Sequence, residues 1–135
     1  MSTTRRLTIA TLIGAAILGL TVGAAPAQAV NDFNCDAGEG CWYENNDFNA
    51  GASNHVHQWE VDDLNYSNDV WFNSSDGMND ETSSIWNRDA FDSLRLYQNS
   101  NHGGANSQFG PGASDGFLAN NSIGDNRASS HFWVF

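Results

Sequence analysis

From residue 41 onward the apolar positions never settle into a 3.6-residue rhythm. They come in short clusters of aromatic and β-branched residues, interrupted every few positions by Gly, Asn, Asp or Ser. That pattern predicts strands and turns, with strands at Cys41–Glu44, His55–Val61, Val70–Phe72, Ser84–Asn87, Ser93–Gln98, Ser107–Phe109 and Ser130–Phe135. Trp42, Trp59, Trp71, Trp86 and Trp133 each fall in one of these segments and are the expected core, because large aromatic rings dominate the burial energy of small domains. Many short strands with turn residues between them predict an all-β sandwich.

The beginning of the chain has a different pattern. Arg5 and Arg6 precede an apolar run from Leu7 to Val22, and Ala27-Gln28-Ala29 follows as a small-x-small cleavage site. Residues 1–29 are therefore expected to be an export signal, and the protein to be secreted and extracellular. Thr8 stands where a twin-arginine signal carries a bulky apolar residue, which favours the general secretory route. A membrane anchor is the alternative, but the run is rich in Gly and Ala, and no later segment is apolar enough to span a bilayer. Cleavage after Ala29 would leave residues 30–135, room for one monomeric domain with a modest core.

Within that region the chain repeats itself. The stretch from Trp42 to Gly51, WYENNDFNAG, lines up with LYQNSNHGG from Leu96 to Gly104, each a strand running into a tight turn. Downstream, NDETSSIW from Asn79 to Trp86 lines up with DNRASSHF from Asp125 to Phe132. The two halves, about 41–87 and 93–135, carry these segments in the same order.

Charge narrows the possible partners. All sixteen acidic residues lie beyond the export signal, opposed only by Arg88, Arg95 and Arg127, for a net charge of −13 without a single lysine. Such a surface repels nucleic acid and anionic membranes and attracts cations, although it also serves plain solubility. Cys35 lies in the N-terminal segment (30–40) and Cys41 opens the domain proper, and in an oxidising compartment a disulfide between them is the default expectation. Closing so short a loop stabilises by only about 2 kcal/mol, so the bond would pin the N-terminal segment rather than hold the whole fold.

The Asx-Asx-x-x-Ser-Ser stretches carry the chemistry. Calcium takes six to eight oxygens from carboxylates, amides, carbonyls, hydroxyls and water. Paired Asx side chains, an exposed carbonyl and a serine hydroxyl supply such oxygens compactly, while the second serine is placed to hydrogen-bond backbone. Asn, Asp and Ser also build turns without any metal, so one copy would be a weak signal. Two copies at equivalent repeat positions are specific. Neither stretch holds enough ligands alone, so two motifs crossing near each other would complete two calcium sites.

The tandem units, each with a Tyr-x-x-x-x-ring turn near its start and Asx-Asx-x-x-Ser-Ser near its end, resemble a microbial βγ-crystallin domain of two Greek keys over residues 41–135. The resemblance implies two sheets packed face to face with two calcium sites between the paired loops. By position, the ligands would be the side chains of Asn79, Asp80, Ser83, Asp125, Asn126 and Ser129 and the carbonyls of Glu81 and Arg127, with Glu44 and Gln98 contributing from the first strand of each unit. Two departures stand out. His102 replaces the usual aromatic ring and is expected to loosen its turn, and a long loop from Tyr66 to Met78 leaves the first unit's third strand unplaced. The Cys-x5-Cys start, Cys35 to Tyr43, is similar to that of the secreted actinobacterial metalloproteinase inhibitors of the same fold, though their second disulfide is missing.

Three function classes follow. One is a calcium-stabilised proteinase inhibitor presenting an exposed loop, Asn65–Met78 or Gly103–Gly116. Another is a cell-wall-binding or antimicrobial, killer-toxin-like module. An enzyme is disfavoured, since no Gly-x-Ser-x-Gly elbow, His-Glu-x-x-His or catalytic cysteine pattern is present, and Asp62-Asp63 reads as a solvated turn. His55 and His57 share one strand face and would offer zinc two ligands, but no firm third accompanies them.

Overall fold

The computed structural model describes residues 31–50 and 55–135, so the expected export signal lies outside the described residues. Among the described residues, seven strands form two antiparallel sheets. The first sheet has the order β2-β1-β3-β6, from Val56–Trp59, Gly40–Tyr43, Ser84–Asn87 and Ser114–Asp115. In the second, β4 (Ser93–Asn99) lies between β5 (Gly103–Phe109) and β7 (Ser130–Val134). Side-chain alternation is clearest in β4, where Leu94 and Leu96 are fully buried while Arg95 points outward to Gln108 Oε1, 3.0 Å from its Nε.

Trp42 organises the core. Its ring is fully buried against Trp59, Tyr66 and His131, with centroids 4.5, 6.3 and 4.6 Å away. It also lies over Gly40, where a Cβ would stand 2.8 Å from the indole, so β1 must begin with glycine. Trp59, Trp71 and Trp133 join the same core, each contributing about 5 kcal/mol of gross transfer free energy before entropy is counted. Trp86 is half-buried instead, beneath the Arg88 guanidinium at 4.9 Å. Trp71 lies outside any strand: Val70 and Gly77 make only an isolated bridge, and Trp71 N–H closes a turn onto Asp76 O at 3.0 Å. The expected strand Val70–Phe72 is therefore a tight excursion anchored inward by Tyr66, Trp71 and Met78, all fully buried.

Each unit lends its third strand to the other's sheet. From the second unit, β6 pairs Asp115 with Ile85 and Ser114 with Trp86. From the first, Asp63 bridges His131, with Asp63 N–H to His131 O at 3.3 Å and His131 N–H to Asp63 O at 2.8 Å. The exchange interlocks the two halves.

The repeated turns are nearly superposable in their bonding. Asp47, Phe48 and Asn49 have φ of 50, 58 and 62°, and Asn101 and His102 have φ of 55 and 57°. Phe48 N–H and His102 N–H each donate to the second motif serine of their unit, Ser84 Oγ and Ser130 Oγ, at 3.1 Å. Those hydroxyls in turn donate to Asn45 O and Asn99 O at 2.6 and 2.7 Å. His102 does not loosen its turn. It lies 5.1 Å from Tyr97, as Phe48 lies 5.6 Å from Tyr43, and its Nε2 is 3.0 Å from His131 O, an anchor no phenyl ring has.

Candidate metal centre

The two Asx-Asx-x-x-Ser-Ser loops cross. Asp80 N–H donates to Ala128 O, and Asn126 N–H to Thr82 O, both at 3.0 Å, so each loop borrows a carbonyl from the other. At their far ends, Ser83 N–H reaches Tyr43 O at 3.0 Å and Ser129 N–H reaches Tyr97 O at 2.9 Å. Asp80 and Asn126 have φ of 60 and 52°, the left-handed region that Asx residues enter more readily than most. The second motif position therefore needs Asx for its backbone as well as for its oxygen.

The crossing brings the first serine of each motif to the second Asx of the other. Ser83 Oγ–H donates to Asn126 Oδ1 at 3.1 Å, and Ser129 Oγ–H donates to Asp80 Oδ1 at 2.8 Å. Two oxygens bound to one Ca²⁺ at 2.3–2.6 Å lie about 3 Å apart in a crowded shell, which is the separation these pairs already have. The residues present thus fit the ion.

Glu44, Asn45, Asp80, Glu81, Ser83 and Asn126 surround one recess. The equivalent recess on the other side of the crossing is lined by Gln98, Asn99, Asp80, Asn126 and Arg127, and opens toward Ser129 and Asn79. The repeat thus delivers Glu44, Glu81, Ser83 and Asn126 to one place, and Gln98, Arg127, Ser129 and Asp80 to another. Asn79 stands at the rim and donates to Asp80 Oδ2 at 3.0 Å, orienting that carboxylate. Asp125 lines neither recess; its Oδ1 is buried without a protein hydrogen-bond partner. Asn45 and Asn99 were not among the expected ligands, although their position directly after Glu44 and Gln98 in the repeat points to them.

The recesses differ electrostatically. Glu44, Glu81 and Asp80 make the first strongly negative, whereas at the second Arg127 lines the recess together with Asp80, and Gln98 stands where the first has a carboxylate. Glu81 is fixed by Trp71, whose Nε1–H donates to its Oε2 at 3.3 Å. His55 Nδ1 lies 3.1 Å from Glu44 Oε2 and its Nε2 3.6 Å from Asp76. His57, its neighbour on the strand face, turns the other way: Nδ1 meets Val70 O at 2.9 Å, the ring packs on Trp59 at 4.0 Å, and burial lowers its pKa.

Two fully enclosed titratable rings, Tyr66 and His131, meet in the core. His131 is 0% exposed, with Nδ1 2.8 Å from the Tyr66 hydroxyl and Nε2 2.7 Å from Val61 O. A carbonyl can only accept, so Nε2 carries the proton and Nδ1 accepts from Tyr66. Burial pushes the His131 pKa down to about 3.

At the other end of the sandwich, Cys35 and Cys41 are joined as a disulfide with Cα atoms 5.9 Å apart. The bond packs with Tyr43, Val56, Phe72 and Trp86 in a small second core.

Comparison with known proteins agrees with this architecture. A solved structure described as "Evolution of the eye lens beta-gamma-crystallin domain fold" superposes with a TM-score of 0.60 at 16% identity, covering 80% of this chain and 96% of its own. A βγ-crystallin from an archaeon gives 0.53 at 25% identity, covering 73% and 100%. One from Ciona intestinalis gives 0.54 at 19%, covering 70% and 98%. No curated protein matches the sequence significantly. The sequence profile of peptidase inhibitor family I36 matches residues 28–109, a span holding the disulfide, the first motif and the start of the second unit. The chain has the βγ-crystallin fold and belongs to peptidase inhibitor family I36, a family of inhibitors rather than enzymes.

Proposed function

We propose that the protein is a secreted peptidase inhibitor stabilised by two calcium ions, one on each side of the crossed loops. The observation that supports calcium most is the reciprocal pairing of Ser83 with Asn126 and Ser129 with Asp80, which gathers hydroxyl and Asx oxygens from opposite halves at ligand spacing. An ion at each place would add a cross-link between the units, holding the crossing to β1 through Glu44 and to β4 through Gln98. The disulfide and the strongly acidic, lysine-free composition suit an oxidising, calcium-rich exterior. Family membership supports a peptidase as the partner, and the Cys-x5-Cys start favours metallopeptidases.

The charge difference sets an order of affinity. The recess with Glu44 and Glu81 binds first, and the one with Gln98 and Arg127 binds more weakly, since ligand charge tunes calcium affinity. Calcium at about a hundred times the dissociation constant should add about 2.7 kcal/mol, raising the melting temperature by about 10 °C. Thermal melts and inhibition assays against a panel of peptidases, each run with calcium and with chelator, check both halves of the proposal. An unchanged melt in both conditions, or no inhibition of any peptidase, would contradict the corresponding half.

A further inference from the structure

We propose that residues 88–92, the turn joining β3 to β4, enter the cleft of the target peptidase, with Phe91 as the side chain that fills an apolar pocket there. The inference rests on the inhibitor reading above and names the surface that would carry it. Phe91 is 88% exposed, whereas the partly exposed Phe33 and Phe48 lean on Phe72 and Tyr43 with centroids 4.9 and 5.6 Å apart. Phe135, 93% exposed, follows Val134, which pairs with Ser93 and so brings a second bare ring to the same end of the sheet. Covering a bare phenyl ring removes apolar surface from water and so favours a complex.

The turn beneath Phe91 is fixed from three sides. From within, Asp89 Oδ1 accepts from Phe91 N–H and Asp92 N–H, both at 2.6 Å. From below, the fully buried Asn87 donates through Nδ2 to Asp92 O at 2.9 Å and to Phe109 O and Gly110 O at 3.0 Å, and its Oδ1 accepts from Asp89 N–H at 3.0 Å. From the flank, Arg88 N–H donates to Glu39 O at 2.7 Å, Gly38 N–H donates to Arg88 O at 3.1 Å, and the Arg88 guanidinium donates to Cys35 O. The disulfide loop is thereby a buttress for this turn, which gives so weak a cross-link a purpose.

A convex, rigid turn with one apolar tip is the complement of a concave cleft with one apolar pocket. Little ordering entropy is lost when such a segment docks, and a single ring seated in a desolvated pocket dominates the binding energy. Arg88 is folded back onto Trp86 and Cys35, so no cation stands at the tip for a peptidase that demands one. The loops expected from sequence are poorer candidates: Asn65–Met78 buries Tyr66, Trp71 and Met78, and Gly103–Gly116 is mostly taken up by strands β5 and β6.

The test uses the full chain, produced with its own leader and purified in calcium, against three probes. These are thermolysin as a metallopeptidase, chymotrypsin with its apolar primary pocket, and trypsin with its acidic one. Inhibition of thermolysin or chymotrypsin but not trypsin, weakened about 100-fold by Phe91→Asp and left unchanged by Phe117→Asp on another face, is the expected result. Both variants should melt like the parent. If the parent inhibits and Phe91→Asp inhibits equally well, this surface is wrong and the inhibitor reading stands. If the parent inhibits none of the three, the inhibitor reading fails for these classes and this assignment falls with it.

Discussion

Asn87→Ala should destabilise the protein by about 3 kcal/mol, read as a lower urea midpoint with an unchanged slope. Asn87 has no solvent exposure, and its amide is the shared donor for Asp92 O, Phe109 O and Gly110 O. Truncation orphans those carbonyls and the Asp89 N–H in a site too enclosed for water to replace every bond. Asn87→Asp retains the acceptor for Asp89 N–H but loses the donors and adds a buried charge, so it should fare no better. The consequence for inhibition is specific. A loosened turn must be ordered again on binding, so Asn87→Ala should also raise the dissociation rate of any inhibited complex, whereas Phe91→Asp removes contact without touching stability. A midpoint within about 0.5 kcal/mol of the parent would show that the network is dispensable.

The second large effect is acid destabilisation through His131. Its folded pKa of about 3 lies below the ordinary value of 6.5, so between those limits the unfolded chain holds a proton that the folded chain refuses. Stability from this group is complete above pH 6.5 and is lost as pH falls toward 3. At pH 4.5 the loss is about 2.7 kcal/mol. Asp69 has the opposite sign: desolvation raises it to about 6, so protonation between pH 6 and 3.8 favours the folded state, and burial raises Glu39 in the same sense. The contributions separate by substitution. His131→Gln can present an acceptor to Tyr66 and a donor to Val61 O without titrating, so its stability should fall less with acid than the parent's. Asp69→Asn should raise the melting temperature at pH 7.5. Parallel pH curves for the parent and His131→Gln would contradict the neutral, buried assignment.

Much of this was legible in the residues. The apolar clusters located β1, β3, β4 and β7 to within a residue or so, because β4 is buried in alternation and β1, β3 and β7 are short, mostly buried runs bounded by turn residues. The repeat located the Asx-Asx-x-x-Ser-Ser corners. Val70–Phe72 misled because Trp71 is β-like in composition but is buried from a turn. The strand exchange was hidden because it consists of Ser114–Asp115 and a bridge at Asp63, both too short to show a period. That Ser83 meets Asn126 rather than its own Asp80 is a tertiary fact that no local pattern encodes. The Phe91 turn has its own sequence signal, a lone phenylalanine between Asn87, Asp89 and Asp92, residue types whose side chains tie turns together.

The proposed binding of calcium at the paired loops is the central claim. Calorimetric titration of residues 30–135 with calcium, repeated on Ser83→Ala and Ser129→Ala, tests it most directly. Two binding events of unequal affinity are predicted, with Ser83→Ala weakening the tighter and Ser129→Ala the weaker, and a melting temperature that rises with calcium in the parent. No heat of binding and no change in melting temperature would contradict it.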